Sequence, residues 1–306
     1  MPTPALEHAA CLLLPEVQEA ASTSAPARVC VIDLGTNSFH AVIVDAHPNG
    51  TFRVVDRMKE MVRLGQRGLL SGVLPEAAME RGMKALQRIH ILASGWGVQE
   101  YLAFATSAIR EARNGGAFIE RVREEIGIRI RAISGSQEAR LIYEGVRRAV
   151  DMPVPTLIVD IGGGSVEFIV STREGVPFAT SLKLGAARMT EQFVTTDPLS
   201  PDEQAALRAH YRQELEPVIA AARAHDVEMI VGSSGTAKSL ARVCINRHGD
   251  ASRSVFQQDV DAEPFRQTMT RIIGAGKEAR GRMSGIGPKR VDQIGAGAVL
   301  MDTLLE

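Results

Sequence analysis

Val31-Ile32-Asp33-Leu34-Gly35-Thr36-Asn37-Ser38 runs from an apolar strand into a glycine-containing turn, and Phe39-His40-Ala41-Val42-Ile43-Val44 follows without a break. Strand, turn and strand in immediate succession make a hairpin, not a strand entering a helix. The same device returns at Thr156-Leu157-Ile158-Val159, then Asp160-Ile161-Gly162-Gly163-Gly164-Ser165, then Val166-Glu167-Phe168-Ile169-Val170. Both copies read apolar strand, Asp-(Leu/Ile)-Gly-x-x-Ser, apolar strand. They stand about one domain length apart, so the chain reads as two copies of one α/β unit.

Around these hairpins helices and strands alternate. Pro75 opens a helix that runs to about Ala93. Tyr101 to Ala105 is a strand, and Thr106-Ser107 can cap a helix from Ala108. A helix near 117–126 leads to a strand over Ile128–Ile133. Ser134-Gly135-Ser136 then caps a helix from Gln137 to about Val150. Further on, a helix over Pro201–Ala224 leads to the strand Glu228–Val231, the turn Gly232-Ser233-Ser234-Gly235-Thr236 and a helix from Ala237. The last helix spans about Pro288–Leu305. Such alternation predicts α/β layers with ligands bound at strand ends.

Composition sets the outer limits. The chain has 306 residues, enough for about two domains, with 45% hydrophobic and 23% charged residues, so wholesale disorder is excluded. Lys and Arg number 35 against 36 Asp and Glu, a formal net charge of −1, which argues against a nucleic-acid- or membrane-coating role. Aromatic residues, at 4%, are too few for a base-stacking platform. A polyanion must therefore be caught by a local site. Cys11, Cys30 and Cys244 are widely spaced and form no CxxC pair, which points to a reducing, cytoplasmic setting. No apolar run is long enough to span a bilayer. Residues 1–27, rich in Ala, Pro, Ser and Thr, read as a flexible leader. The apolar Cys11–Leu14 lacks the basic flank of a signal peptide.

The two turns are suited to phosphate, because glycine lets the backbone approach and successive N–H groups form an anion-binding concavity. The aspartates that end the strands, Asp33 and Asp160, offer hard oxygens to Mg²⁺ or Mn²⁺. A single Asp-x-Gly-x-x-Ser is compatible with a plain hairpin turn; its repetition is what favours a site. Gly232–Thr236 is a third phosphate candidate at a helix N-terminus, or simply a strand–helix connection with a threonine cap. It is not a Walker A loop, since no GxxxxGK(S/T) occurs. Glu138 stands in the first turn of its helix, where a glutamate also serves as a dipole partner. Glu167 interrupts an apolar strand, and an acid there wants a cation. Arg110 and Arg113 follow a strand end and can grip phosphate, or form a solvated helix face. Lys183 and Arg188, flanking Gly185, carry the same ambiguity. His40 is expected to line or pack. Zinc-ligand spacing and a GxSxG elbow are both missing.

Taken in order, these segments resemble the exopolyphosphatase / guanosine pentaphosphate phosphohydrolase family, in its short two-domain type, within the sugar-kinase, Hsp70 and actin superfamily. The matching stretches are Val31–Phe39, Thr106–Asn114, Ile133–Ile142, Val159–Ser165 with Glu167, Gly232–Thr236 and Arg290–Ile294. The resemblance implies two ribonuclease-H-like (actin-like ATPase) domains with the active site in the cleft between them. It places the first domain at 28–149, joined by the C-terminal helix 288–306, and the second at 150–287. It implies Glu138 as the base that activates water, and Asp160 and Glu167 as metal-holding acids. Gly35, Thr36, Asn37 and Ser38, and Gly162, Gly163, Gly164 and Ser165, are implied as phosphate loops, with Arg110 touching phosphate. Gln137, Val166 and Thr36 depart from residues frequent in the family, without removing a group the chemistry requires. The expected reaction is release of terminal orthophosphate from polyphosphate. Guanosine pentaphosphate is the alternative substrate, and a sugar or acetate kinase or a non-catalytic actin-like nucleotide binder are the remoter readings. Homodimers are common among such relatives.

Overall fold

In a computed structural model of the chain, residues 26–249 and 259–306 are described. All but the last two residues of the leader expected at 1–27 lie outside them. Along the chain, the described residues divide into two compact units between Ser134 and Gly135.

The first unit contains β1 (Ala27–Leu34), β2 (Ser38–Ala46), β3 (Phe52–Met61), α1 (Glu76–Gly95), β4 (Glu100–Ala105), α2 (Ser107–Glu111), α3 (Gly115–Ile126) and β5 (Ile130–Ala132). Its sheet runs β3-β2-β1-β4-β5. The hairpin of β1 and β2 is antiparallel, as expected, and β3 extends it; β4 and β5 lie parallel to β1. Buried Ile32, Leu34, Phe39 and Ile43 form the sheet's share of the core, with Met83, Leu86 and Ile89 from α1 and Phe118 from α3. Gly82 on α1 is needed at its place, because a Cβ there would stand 2.9 Å from the Phe118 ring.

The second unit contains α4 (Gly135–Ala149), β6 (Thr156–Ile161), β7 (Val166–Thr172), β8 (Gly175–Leu182), α5 (Ala186–Phe193), α6 (Pro201–Ala224), β9 (Met229–Ser233), α7 (Ser234–His248), α8 (Ala262–Gly274), α9 (Lys277–Gly281) and α10 (Ile294–Leu304). Its sheet runs β8-β7-β6-β9, the first unit's order without the fifth strand. β6 pairs antiparallel with β7 and parallel with β9. The two sheets thus share one plan, as the repeated hairpin implied, and it is the ribonuclease-H-like one expected from the resemblance.

Both faces of this sheet are covered. Ile158 and Ile169 face Ala139, Val146 and Val150 around α4. Leu157, Val159, Phe168 and Val170, by strand alternation, face the larger core built by α5, α6, α7, α8 and α10. Two elements are therefore placed differently from the sequence expectation. The helix after Ser134, assigned there to the first domain, packs on β7 and β8. The C-terminal helix, also assigned to the first, packs against α8, α6, α5 and α7. The physical reason is composition: α10 is apolar on nearly every face, and Ile294 to Thr303 are all buried, so it needs surroundings on all sides. It also starts later than expected, at Ile294.

α6 begins with Ser200 and Glu203 in a reciprocal capping box and Pro201 at the first helical position, the start the sequence predicted. Its fully buried Tyr211 donates a hydrogen bond to the Ala296 carbonyl of α10 at 3.1 Å. That bond fastens the central helix to its longest neighbour. Tyr211→Phe keeps the ring and removes the bond, so it should cost about 1 kcal/mol and lower the thermal midpoint by roughly 2–4 °C. An unchanged midpoint in calorimetry would show that only the buried ring matters.

Candidate active site

The second unit gathers the chemistry into one row. Asp160 on β6 is paired with Glu167 on β7, Glu167 with Ser181 on β8, and Asp160 with Ser233 on β9. Directly paired residues share a face, so two carboxylates and two hydroxyls line up across four strands. Ser181 Oγ donates to Glu167 Oε1 at 2.7 Å, and Ser233 Oγ donates to Asp160 Oδ2. Glu167 is 1% exposed; Asp160 keeps a partial opening to solvent.

The third acid comes from α4. A Cβ on Gly135, its first residue, would stand 2.5 Å from Ser181 Cβ, so the helix start rests on the serine that bonds Glu167. Glu138, in that first turn, is near enough to act electrostatically on both carboxylates. Burial pushes the Asp160 carboxyl up to about 6; the Ser233 hydroxyl counters this and the Glu138 charge adds to it. Burial raises Glu167 well above the usual carboxylate range, helped by the charges of Glu138 and Asp160 and opposed by hydrogen bonds from Ser181 and Ser165. Three acids in one poorly solvated place are held against their mutual repulsion, which is the environment of a proton-transfer or cation site.

The turn between β6 and β7 is fixed by α5. The amides of Ala186 and Ala187 donate to the carbonyls of Gly162 and Gly163 at 2.9 Å, and that of Gly185 to Gly164 at 3.3 Å. Arg188, 7% exposed, donates its amide to Gly163 and its Nε to the Gly164 carbonyl at 2.8 Å. The turn's carbonyls are thereby engaged from the α5 side. Gly185 is required here, since a Cβ would meet Gly163 C and O and Gly164 N at 2.4 Å. Ser165 is buried beside Glu167.

Gly232–Thr236 takes a different form from the cap expected. α7 already begins at Ser234, which has φ +81° and donates its Oγ to the Ile161 carbonyl at 2.7 Å. Thr236 is no cap; it is buried in the first turn against Gly297 of α10. Arg290 lies so close to Gly235 that a Cβ there would stand 2.0 Å from Nη2. Burial lowers the Arg290 pKa, an uncomfortable state for a guanidinium that anion binding would relieve. The sequence offered Arg290 only as part of a motif, and Ser181 and the loop-holding role of Arg188 not at all. The one signal for Arg188 was its spacing from Gly185.

The remaining sequence candidates lie in the first unit. Gly35 to Ser38 form its tight turn, with the Gly35 amide bonded to the Ser38 carbonyl at 3.2 Å. A Cβ on Gly35 would meet that carbonyl at 3.0 Å, just as one on Gly162 would meet the Ser165 carbonyl at 2.9 Å. Asp33 pairs with His40, and His40 with Lys59 on β3. The row that reads Ser181, Glu167, Asp160 in the second unit thus reads Lys59, His40, Asp33 in the first. Ser38 Oγ and His40 Nε2 are hydrogen-bonded at 2.9 Å. Arg110, at the end of α2, donates Nη1 to the Ile133 carbonyl at 3.0 Å.

Among the described residues no three His, Cys, Asp or Glu side chains cage a metal ion by themselves. Asp160 and Glu167 nevertheless fit Mg²⁺, which takes one or two carboxylates and completes its shell with phosphate and water. A divalent cation beside them would offset the repulsion that now lifts their pKa values.

A ribonuclease-H-like fold duplicated in one chain, with clustered acids beside a glycine–serine turn, defines a class of phosphoryl-handling enzymes. The profile of the Ppx/GppA phosphatase family matches residues 42–306, and the chain belongs to that family, whose members hydrolyse phosphoanhydride bonds. It is 32% identical over 277 residues to Exopolyphosphatase 1 of Mycobacterium tuberculosis, covering 90% of this chain and 80% of that protein. Among solved structures, an exopolyphosphatase from Cytophaga hutchinsonii superposes with a TM-score of 0.84 at 29% identity, over 90% of this chain and 89% of that one. A Ppx/GppA protein of Aquifex aeolicus gives 0.69 at 26% identity, over 91% and 90%.

Two measurements test the site. Because folding raises the Asp160 pKa from 3.8 to about 6, the folded protein binds the extra proton across that window. Stability must therefore fall as pH rises through it. In metal-free buffer the wild-type thermal midpoint should drop between pH 4 and pH 7 by this route, and Asp160→Asn should drop less. Equal slopes would remove Asp160 as a source of the strain. Separately, Gly185→Ala forces a methyl group into the Gly163 carbonyl and should cut kcat/KM roughly 10²-fold through misplacement of the turn. Near-normal turnover would show that the turn does not hold the reacting group.

Proposed function

We propose that this protein is an exopolyphosphatase that releases terminal orthophosphate from inorganic polyphosphate. The observation that carries the reading is the meeting of Glu138, Asp160 and Glu167 beside a Gly162–Ser165 turn whose carbonyls are engaged by α5. The names of its relatives favour polyphosphate over guanosine pentaphosphate, although both substrates end in a linear phosphate chain that the same residues could serve.

In this mechanism the Gly162–Ser165 turn seats the terminal phosphoryl group through backbone N–H groups. Ser233 and Ser181 hold the Asp160 and Glu167 carboxylates in place. Mg²⁺ or Mn²⁺ held by these two acids would neutralise charge on the transferred phosphoryl group. Asp33, on the matching strand of the first unit, is a further proposed ligand. Glu138 orients a water molecule and takes its proton as oxygen bonds to phosphorus. The phosphoanhydride P–O bond breaks, and the shortened chain leaves as a phosphate anion that needs no dedicated acid. Arg110 is assigned to phosphate contact, as is Arg290 at the start of α7.

The described residues include no helix long and apolar enough to cross a membrane. Cys30 and Cys244 are buried free thiols. We place the enzyme in the cytoplasm on that cysteine usage.

Glu138→Gln preserves size and hydrogen bonding but removes the base. Phosphate release from polyphosphate with Mg²⁺ should fall at least roughly 10²-fold while polyphosphate binding persists. Release that survives in Glu138→Gln would reject the base assignment. Release from guanosine pentaphosphate alone would reject the polyphosphate reading.

A further inference from the structure

We propose that Arg63 and Arg67 form a rim beside the Gly35–Ser38 turn that binds the linear phosphate chain beyond its reacting end. The proposal rests on the exopolyphosphatase reading and deepens it by naming where chain length is sensed.

The segment after β3 reads Val62-Arg63-Leu64-Gly65-Gln66-Arg67-Gly68-Leu69. Its backbone is tied directly to the turn. The amides of Val62 and Arg63 both donate to the Asn37 carbonyl, at 3.1 and 2.8 Å, and the Gly65 amide donates to the Thr36 carbonyl at 3.1 Å. From the other side Arg81 on α1 holds the carbonyls of Val62 and Arg63, at 2.9 and 3.2 Å. The rim can shift only if the turn shifts with it.

Its residue choice is inverted from what the backbone asks. The left-handed positions are Arg63, at φ +49°, and Arg67, at φ +59°. L-residues with long side chains resist that region, and glycine adopts it freely. The glycines in the segment serve another need. A Cβ on Gly65 would stand 2.5 Å from Thr36 Cγ2, and one on Gly68 would stand 2.7 Å from the Val73 carbonyl. Glycine has thus been used where space is short, while arginine sits where conformation alone would favour glycine. Strained positions of this kind persist where the side chain has a task. Two arginines four residues apart, in a segment whose backbone is fixed to a candidate phosphate turn, suit successive phosphates of a polyanion, since each guanidinium can donate bidentately. The Gly162–Ser165 turn keeps the reacting phosphate, and the rim with its Gly35–Ser38 turn takes phosphates that follow it.

Arg63→Gly and Arg67→Gly in the full chain separate side chain from backbone, because glycine keeps the left-handed conformation without strain. Thermal midpoints equal to or above wild type are expected. Asparagine, which also tolerates this region, is the second variant at each position. Each glycine variant should raise KM for long-chain polyphosphate roughly tenfold, the loss of one charge-assisted contact, with kcat nearly unchanged. KM for tripolyphosphate should rise by much less. Unchanged KM on long chains in both variants overturns the proposal, and so does an equal rise on tripolyphosphate, which would assign the arginines to the reacting end. If the wild type releases no orthophosphate from polyphosphate, the functional reading fails by itself. Direct binding of long-chain polyphosphate then decides the rim: weaker binding by the variants supports it, and equal binding overturns it.

Discussion

The pairing of Asp160 with Glu167 across β6 and β7 is the constraint around which the second unit is organised. Two carboxylates on neighbouring strands repel, and burial denies them the water that would soften the repulsion. The surrounding structure works against that cost. Ser181 and Ser233 each donate a hydroxyl to one of the acids, α4 brings its first turn onto Ser181, and α5 locks the turn that joins the two strands. The sheet is then buried on both faces, which leaves β6 and β7 little freedom to move apart. In the proposed chemistry a divalent cation and the substrate phosphate would offset this repulsion together.

Much of the fold was legible because the hairpin motif repeats. Strand, Asp-x-Gly-x-x-Ser turn and strand are local features, and their pairing needs no distant information. The strands that escaped, β3 and β8, are both sheet edges. β8 contains Pro177, and β3 carries Arg53, Asp56, Arg57, Lys59 and Glu60, the devices by which edges resist further pairing. Such residues mask the apolar alternation from which a strand is recognised. The attachment of α4 and α10 was invisible for another reason. Which sheet a helix covers depends on complementary surfaces far away in sequence, such as Ile158 and Ile169 for α4.

The candidate site was legible to the extent that its residues are chemically unusual where they stand. Glu167 in an apolar strand and Asp160 at a strand end declare themselves. Ser181 does not, because a serine on an edge strand is ordinary until its register partner is known. The roles of Arg188, which is buried, and Arg290, which is half-buried, were hidden in the same way, because in sequence each looks like any surface arginine. The bonds of Arg188 to the Gly163 and Gly164 carbonyls, and the close approach of Arg290 to Gly235, are what reveal them.

The matching rows of the two sheets carry a further consequence. One plan holds Ser181, Glu167 and Asp160 in one half, and Lys59, His40 and Asp33 in the other. Only the aspartate is common to both, so the same strand geometry carries two acids and a hydroxyl in one half, and a lysine, a histidine and a single acid in the other. They are no longer interchangeable modules. A chimera built from two copies of the second half would hold two sets of crowded acids, and one built from two copies of the first would lack the Asp160–Glu167 pair altogether.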